Sequence, residues 1–384
     1  MDTPNIPIPQ SPMCLLQERW YHSLAASLLQ SPAMFQLAQP GRPLASDEQL
    51  WSSPNIVPPR ALTFNSVLRR TERFFDEYAA VAGQITFPAS QFSSDIGQAH
   101  YVAWSAYVDS LSPTPPLANL PALFRMWAMR NGATAVAAQG IADLTQMALI
   151  AAAKQALEPY QGNHPRPVDY AGSLADLQRM LASSPPAQLS FDSAASPPPI
   201  PAWARDNDDY LFGLWSGSDP RSRINQRFAL AQVRVDVDLG AYAPWVATAG
   251  PWYDSALLHN AYANDAAPPW TSGGSPGWGD MFGPFGALRR AIASLLVADG
   301  ADIVVLCNGM FNRQDQARIR DNAARGLWPF YLPSGPSTSN TVSFDGHGHL
   351  TLTTRLQPGQ PFVIGANVLD MPSFLGYEKS ASSD

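Results

Sequence analysis

The chain has 384 residues, 46% of them hydrophobic and only 14% charged, with a formal net charge of −7. It is too apolar for a disordered chain, and its acidic balance excludes broad electrostatic attraction to nucleic acid or anionic lipid. Two cysteines, Cys14 and Cys307, exclude a disulfide scaffold of the secreted kind.

The length fits one large or two medium domains. All basic residues except Lys154 and Lys379 are arginines, and the densest cluster is Arg69, Arg70 and Arg73. Met1 to Gln10 reads MDTPNIPIPQ, a proline-spaced arm (taken as residues 1–12) with no basic residue and no apolar run. A signal peptide needs both, so synthesis in the cytoplasm without signal-driven export is expected. Release by another route stays compatible with this reading.

A helical period runs from Met13 to Gln30 through Leu16, Trp20, Leu24 and Leu28. Trp51 to Pro59 is a proline-stiffened connector. Ser66 to Gln84 has Val67, Phe74, Tyr78 and Val81 on one side, and Asp95 to Leu111 repeats the pattern through Trp104 and Tyr107. Leu117 to Asn131 and Gly132 to Leu157 follow, with a short helix at Ser173 to Leu181. Successive helices with proline-marked joints predict an antiparallel bundle over residues 13–182.

Residues 183–204, rich in proline, serine and alanine, read as a connector. Beyond them the period changes to two. Val233, Val235, Val237 and Leu239 alternate with Arg234, Asp236 and Asp238. Asp302 to Cys307, Thr341 to Phe344, Leu350 to Leu356 and Phe362 to Val368 read as further strands. Turns fall at Asn308-Gly309, Asp345-Gly346 and Pro358-Gly359. Helical patterns fall at Gly286 to Ala298 and Gln314 to Ala324. The expectation is an α+β fold: an N-terminal antiparallel helical bundle, then a mainly antiparallel β-sheet domain with a few helices over 205–378 and a tail at 379–384.

Four segments could carry chemistry. Gly273 to Gly277 matches G-x-S-x-G, but Pro276 lacks the N–H that a nucleophile elbow needs after its serine. The surrounding glycine-rich loop, with Trp270, Trp278, Phe282 and Phe285 ahead of Arg289 and Arg290, suits an apolar or planar partner; the plainer reading is a structural loop. Asp345, His347 and His349 alternate, so in a strand they share one face and supply part of a zinc or iron shell. Gly346 and Gly348 argue for a tight turn there instead. Arg205 to Asp209 is an acidic run without the glycine or glutamate of a calcium loop. The sequence leaves the cofactor unknown.

Gly132 to Ala153 carries one charge, Asp143, and is long enough to enter a bilayer. Gln139, Asp143, Gln146 and Lys154 fall along one stripe, which suits a bundle helix packed through alanines. The sharper reading is a membrane helix held in the bundle and released on activation. Three functions follow. The first is a non-catalytic binding or membrane-interacting protein, whose partner is a protein or a membrane surface and not nucleic acid. The second is a metal-dependent hydrolase-like enzyme using Asp345, His347 and His349. The third is an assembly subunit that binds other chains.

Overall fold

The Ser11 side chain accepts a hydrogen bond from the Cys14 N–H (3.3 Å), and Pro12 occupies the first turn, so the described chain opens as a capped helix, α1 (Pro12–Ser27). The computed structural model describes residues 11–41, 43–64, 71–162, 164–195 and 212–377. Most of the expected arm at 1–12, Arg69 and Arg70, the acidic run at 205–209 and the tail at 379–384 lie outside the described residues.

After α1 come β1 (Phe35–Ala38), α2 (Asp47–Ser52) and β2 (Thr63–Phe64). Next are α3 (Phe74–Gln84), α4 (Ala89–Ile96), α5 (Gln98–Asp109), α6 (Leu120–Arg130) and α7 (Thr134–Leu157). The chain continues through α8 (Leu174–Ala182), β3 (Ala187–Asp192), α9 (Arg223–Leu230), β4 (Val233–Val246), α10 (Ser255–Ala263) and α11 (Trp278–Phe282). It ends with β5 (Arg290–Cys307), α12 (Arg313–Asn322), β6 (Thr338–Phe344), β7 (Leu350–Leu356), β8 (Phe362–Asp370) and α13 (Met371–Phe374). Helix and strand content is thus mixed, as expected.

Contacts divide the chain into two units. Met1–Thr71, Gly172–Thr248 and Ala291–Leu369 form a sheet unit; Glu72–Ala171, Ala249–Arg290 and Asp370–Asp384 form a helical unit. This departs from a bundle over 13–182 followed by a sheet. Residues 11–41 and 43–64 belong with the sheet, and the helical unit draws segments from three parts of the chain. The expected connector at 183–204 also contains a strand, β3, whose Leu189 and Phe191 are buried.

The sheet unit holds one mixed eight-stranded sheet in the order β2-β1-β8-β5-β4-β3, with β7 also on β5 and β6 on β7. β1 and β2 pair in parallel, while β1/β8, β3/β4, β4/β5, β5/β7 and β6/β7 pair antiparallel. The alternation read in β4 is realised: Val233, Val235, Val237 and Leu239 are buried, and Arg234, Asp236 and Asp238 are exposed.

The helix expected at Gly286 to Ala298 is instead the first half of β5. Ile292 and the run Leu295 to Ala298 are all buried, as in a strand covered on both faces. Such a run has no period of two, and its spacing imitates a helix. Gly300, at φ +69° in mid-strand, and Gly240 fall between the register pairs Leu239/Ala301 and Ala241/Asp299. A Cβ on Gly240 would approach the Asp299 carbonyl oxygen to 2.9 Å, so the strand pair needs glycine at this crossing. Trp20 of α1 anchors the core, with ring centroids 5.7 Å from Phe191, Trp328 and Phe330.

In the helical unit, Gly97 at φ +83° breaks the single helix expected from Asp95 to Leu111 into α4 and α5. An aromatic cluster forms between them and α6: Trp104 lies 5.0 Å from Phe124 and 5.6 Å from Trp127, and Phe92 lies 5.7 Å from Phe124. Helix α7 meets this cluster at Gly140, where an added Cβ would fall 2.1 Å from a Phe124 ring carbon. The Gly140→Val variant should therefore lose about 1–3 kcal/mol, the usual cost of overpacking a closed core. Urea denaturation followed by near-UV circular dichroism checks this, and an unchanged midpoint would contradict the packing described.

Candidate functional site

Helix α7 is the longest helix among the described residues, at 24 residues. At 1.5 Å per residue it is about 36 Å long, against about 30 Å for a bilayer's hydrocarbon core. Alanines dominate it, and the only ionisable residues between Thr134 and Leu157 are Asp143 and Lys154. It is the one described helix long and apolar enough to cross a membrane, yet only 22% of its apolar window is buried. Gly140, Asp143, Leu144, Ile150, Ala153 and Leu157 are covered, while Ala138, Ala142 and Ala152 are exposed.

The polar stripe read from the sequence resolves into specific bonds. Gln139 Nε2 donates to Asp143 Oδ1 (2.8 Å), and Gln146 Nε2 donates to Asn260 Oδ1 on α10 (2.8 Å). Asp143 is 3% exposed, and its Oδ2 has no hydrogen-bond donor. Burial raises its pKa from the ordinary 3.8 to about 6, the Gln139 bond opposes the rise, and Asp95 of α4 adds to it. Asp95 is itself held by Gln91 Nε2, at 2.9 and 3.1 Å to its two oxygens. A proton on Asp143 removes the buried charge and supplies a hydrogen bond to Asp95. The other elements against α7 also carry ionisable groups: Asp76, Glu77 and Tyr78 on α3, Arg125 and Arg130 on α6, His259 and Tyr262 on α10, and Glu158 and Tyr160 in the turn that follows. Asp95 is the charge that acts on Asp143. The lone acid in an apolar helix was visible in the sequence, but its partner 48 positions away was not.

The aromatic loop is placed differently from its expected role. Trp270 and Phe282 are buried, and Trp278 is partly covered. Residues Trp278–Phe282 form α11, so the glycine-rich stretch is not one long irregular loop. Tyr262 stacks near Trp278 (5.9 Å), Phe282 (5.4 Å) and Tyr377 (5.6 Å). The Trp270 and Trp278 indole N–H groups donate to the carbonyls of Ala261 (3.1 Å) and Tyr262 (3.0 Å). These three aromatics hold the helical unit together, and only Phe285 stands free, at 94% exposure. Arg289 turns back on the same loop and donates to the Pro284 carbonyl (2.7 Å), and Arg290 opens β5. Ser275 follows a turn rather than a strand, and its carbonyl accepts from Gln84 Nε2 (3.2 Å).

Asp345, His347 and His349 close the β6–β7 hairpin. One Asp345 oxygen accepts the backbone N–H groups of His347 and His349 (2.9 Å each), and the other lies 2.8 Å from His349 Nδ1. These bonds, the His349 backbone N–H first, hold the Asp345 carboxyl below the usual range. Gly348 at φ +85° completes the turn. The two imidazole centroids are 5.9 Å apart. The carboxylate is thus committed to the turn, and no group of three or more His, Cys, Asp or Glu side chains among the described residues could hold a metal ion. Burial pushes the Cys307 thiol up to about 11, so it stays protonated and inert at neutral pH.

Comparison with protein-family models, with curated proteins and with solved structures finds no match to this chain.

Proposed function

We propose that this is a non-catalytic, membrane-interacting protein whose helical unit carries α7 folded in water and yields it to a lipid bilayer. The observation that supports this most is the low burial of α7. A core helix is apolar because protein covers it on all sides; α7 is apolar apart from its one polar stripe, yet only 22% of its apolar window is fully buried and Ala138, Ala142 and Ala152 are exposed. Lipid can cover the remainder. Exposed Val102 on α5, Met126 and Met129 on α6, and Phe285 add apolar surface to the same unit. With a formal charge of −7, the attraction rests on apolar transfer and not on headgroup charge.

Flotation of the full chain with phosphatidylcholine vesicles, at about pH 5 and about pH 8, tests the reading. The wild type should float at the lower pH. The double variant Ala138→Lys, Ala142→Lys changes exposed positions and should keep its fold by circular dichroism. It should lose at least tenfold in vesicle binding, since each lysine costs about 2.5–3.5 kcal/mol at a membrane helix centre. Wild type that stays with the aqueous fraction at both pH values, or a double variant that floats as well, sinks the proposal.

A further inference from the structure

We propose that a second site, a pocket of the sheet unit with Arg19 in its wall, binds a small amphipathic monocarboxylate. The pocket has a volume of about 290 Å³ and lies between α1, the end of β3 and the α9–β4 corner. Leu15, Leu16 and Arg19 come from α1, Ser193 follows β3, and Leu230 and Gln232 come from the corner. It lies wholly outside the helical unit, so this inference stands apart from the fate of α7.

The guanidinium is the feature that names the ligand. Arg19 Nη1 donates to the Ser193 carbonyl (3.1 Å), while among the described residues its buried Nε–H has no acceptor and Nη2 makes no hydrogen bond. No carboxylate pairs with it among the described residues. The acid one position before Ser193 is engaged elsewhere: Asp192 takes Gln232 Nε2 at 2.9 and 3.0 Å and Arg234 Nε at 3.0 Å. With no counter-ion among the described residues, the Nε–Nη2 edge, whose Nε–H is covered until the side chain shifts, is left for an outside anion. That edge has the spacing of a carboxylate, which it grips through two parallel bonds after a small shift of the side chain.

The rest of the pocket suits a short apolar tail. Leu230 is 75% exposed and Leu15 39%, so two leucines stand in water beside the charge. The volume sits at the lower end of the roughly 300–1,000 Å³ of small-molecule sites. Among the described residues no second basic side chain lines it, which matches one negative charge and not the two of a phosphate monoester.

Titration calorimetry of the full chain with sodium octanoate, 1-octanol and octyl phosphate tests this. Octanoate should bind at least tenfold more tightly than octanol, and more tightly than octyl phosphate. Arg19→Met keeps the stem and removes the fork, and it should cost tenfold or more for octanoate while leaving octanol unchanged. Leu230→Asp changes an exposed position and should weaken octanoate by a similar factor, with thermal melts confirming that both variants fold. Equal binding of octanoate and octanol, tighter binding of octyl phosphate, or an Arg19→Met variant that binds octanoate normally would overturn the proposal.

Discussion

The Asp143→Asn variant should be more stable than the wild type at pH 7 by about 1–3 kcal/mol, with the difference gone at about pH 4. The reason is the cost of an ionised carboxylate at a site 3% exposed, with Oδ2 unsatisfied and Asp95 beside it. The folded-state pKa of about 6 stands above the ordinary 3.8, so the folded form binds the proton more tightly than the unfolded chain does. Stability from this group is therefore full below about 3.8, falls as the pH climbs, and is lost above about 6. The whole interval is worth about 3 kcal/mol at 1.36 kcal/mol per pH unit. Asparagine carries no charge to bury and still accepts from Gln139, so its profile should lack this slope. Urea denaturation of both proteins at intervals from about pH 4 to pH 8 gives the difference directly. A variant less stable than wild type at pH 7, or one with the same pH slope, would show that Asp143 is not charged and strained in the fold.

The elements legible in the sequence are those whose neighbours leave one face wet. β4 shows its alternation because Arg234, Asp236 and Asp238 face solvent while the valines are buried. β7 also lies at its expected residues, Leu350–Leu356. The α8 start is written locally: Ser173 and Asp176 exchange bonds with each other's backbone in a capping box. Where both faces are covered the signal vanishes. β1 is four buried residues, including Gln36, whose amide is paid for by the Pro59 and Ala61 carbonyls at 2.6 and 2.7 Å. Nothing in FQLA announces a strand. The first half of β5 fails for the same reason, as its buried run mimics a helix. Neither does any local pattern reveal that residues 249–290 return to the helical unit, since contacts between Trp252 and Phe74, Phe75 and Tyr78 span more than 170 positions.

The candidate sites divide along the same line. Trp270, Trp278 and Phe282 sit among glycines and prolines and so read as surface aromatics, but Tyr262 packs on Trp278 and Phe282, and Phe282 packs on Trp270. The Asp345, His347 and His349 spacing admits a shared strand face or a turn, and the backbone N–H bonds to Asp345 decide for the turn. Asp143 stood out because acids are rare in apolar helices, whereas Arg19 did not, since an arginine on a helix looks like any wet-face residue.

If α7 does pass to lipid, vesicle binding by the wild type should rise about tenfold for each pH unit of acidification from about 8 to about 6, then level off. An ionised aspartate costs about 2.5–3.5 kcal/mol near the centre of a membrane helix, so α7 partitions with Asp143 neutral. Above about 6 the water-folded form lacks that proton and must take up one on binding, which sets a slope of one proton. Below about 6 the proton is already on Asp143 in the bundle, no net uptake accompanies transfer, and the slope disappears. The break in the profile thus reports a property of the folded unit and not of the lipid. Asp143→Asn should bind at every pH about as well as wild type does on its acid plateau, less the extra stability that the substitution gives the bundle. Lys154, one turn from the C-terminal end of α7, can extend to the headgroups. Flotation at half-unit pH intervals with both proteins separates the outcomes. A wild-type profile without a break, or an asparagine variant that retains the full acid dependence, would place the sensor at some group other than Asp143.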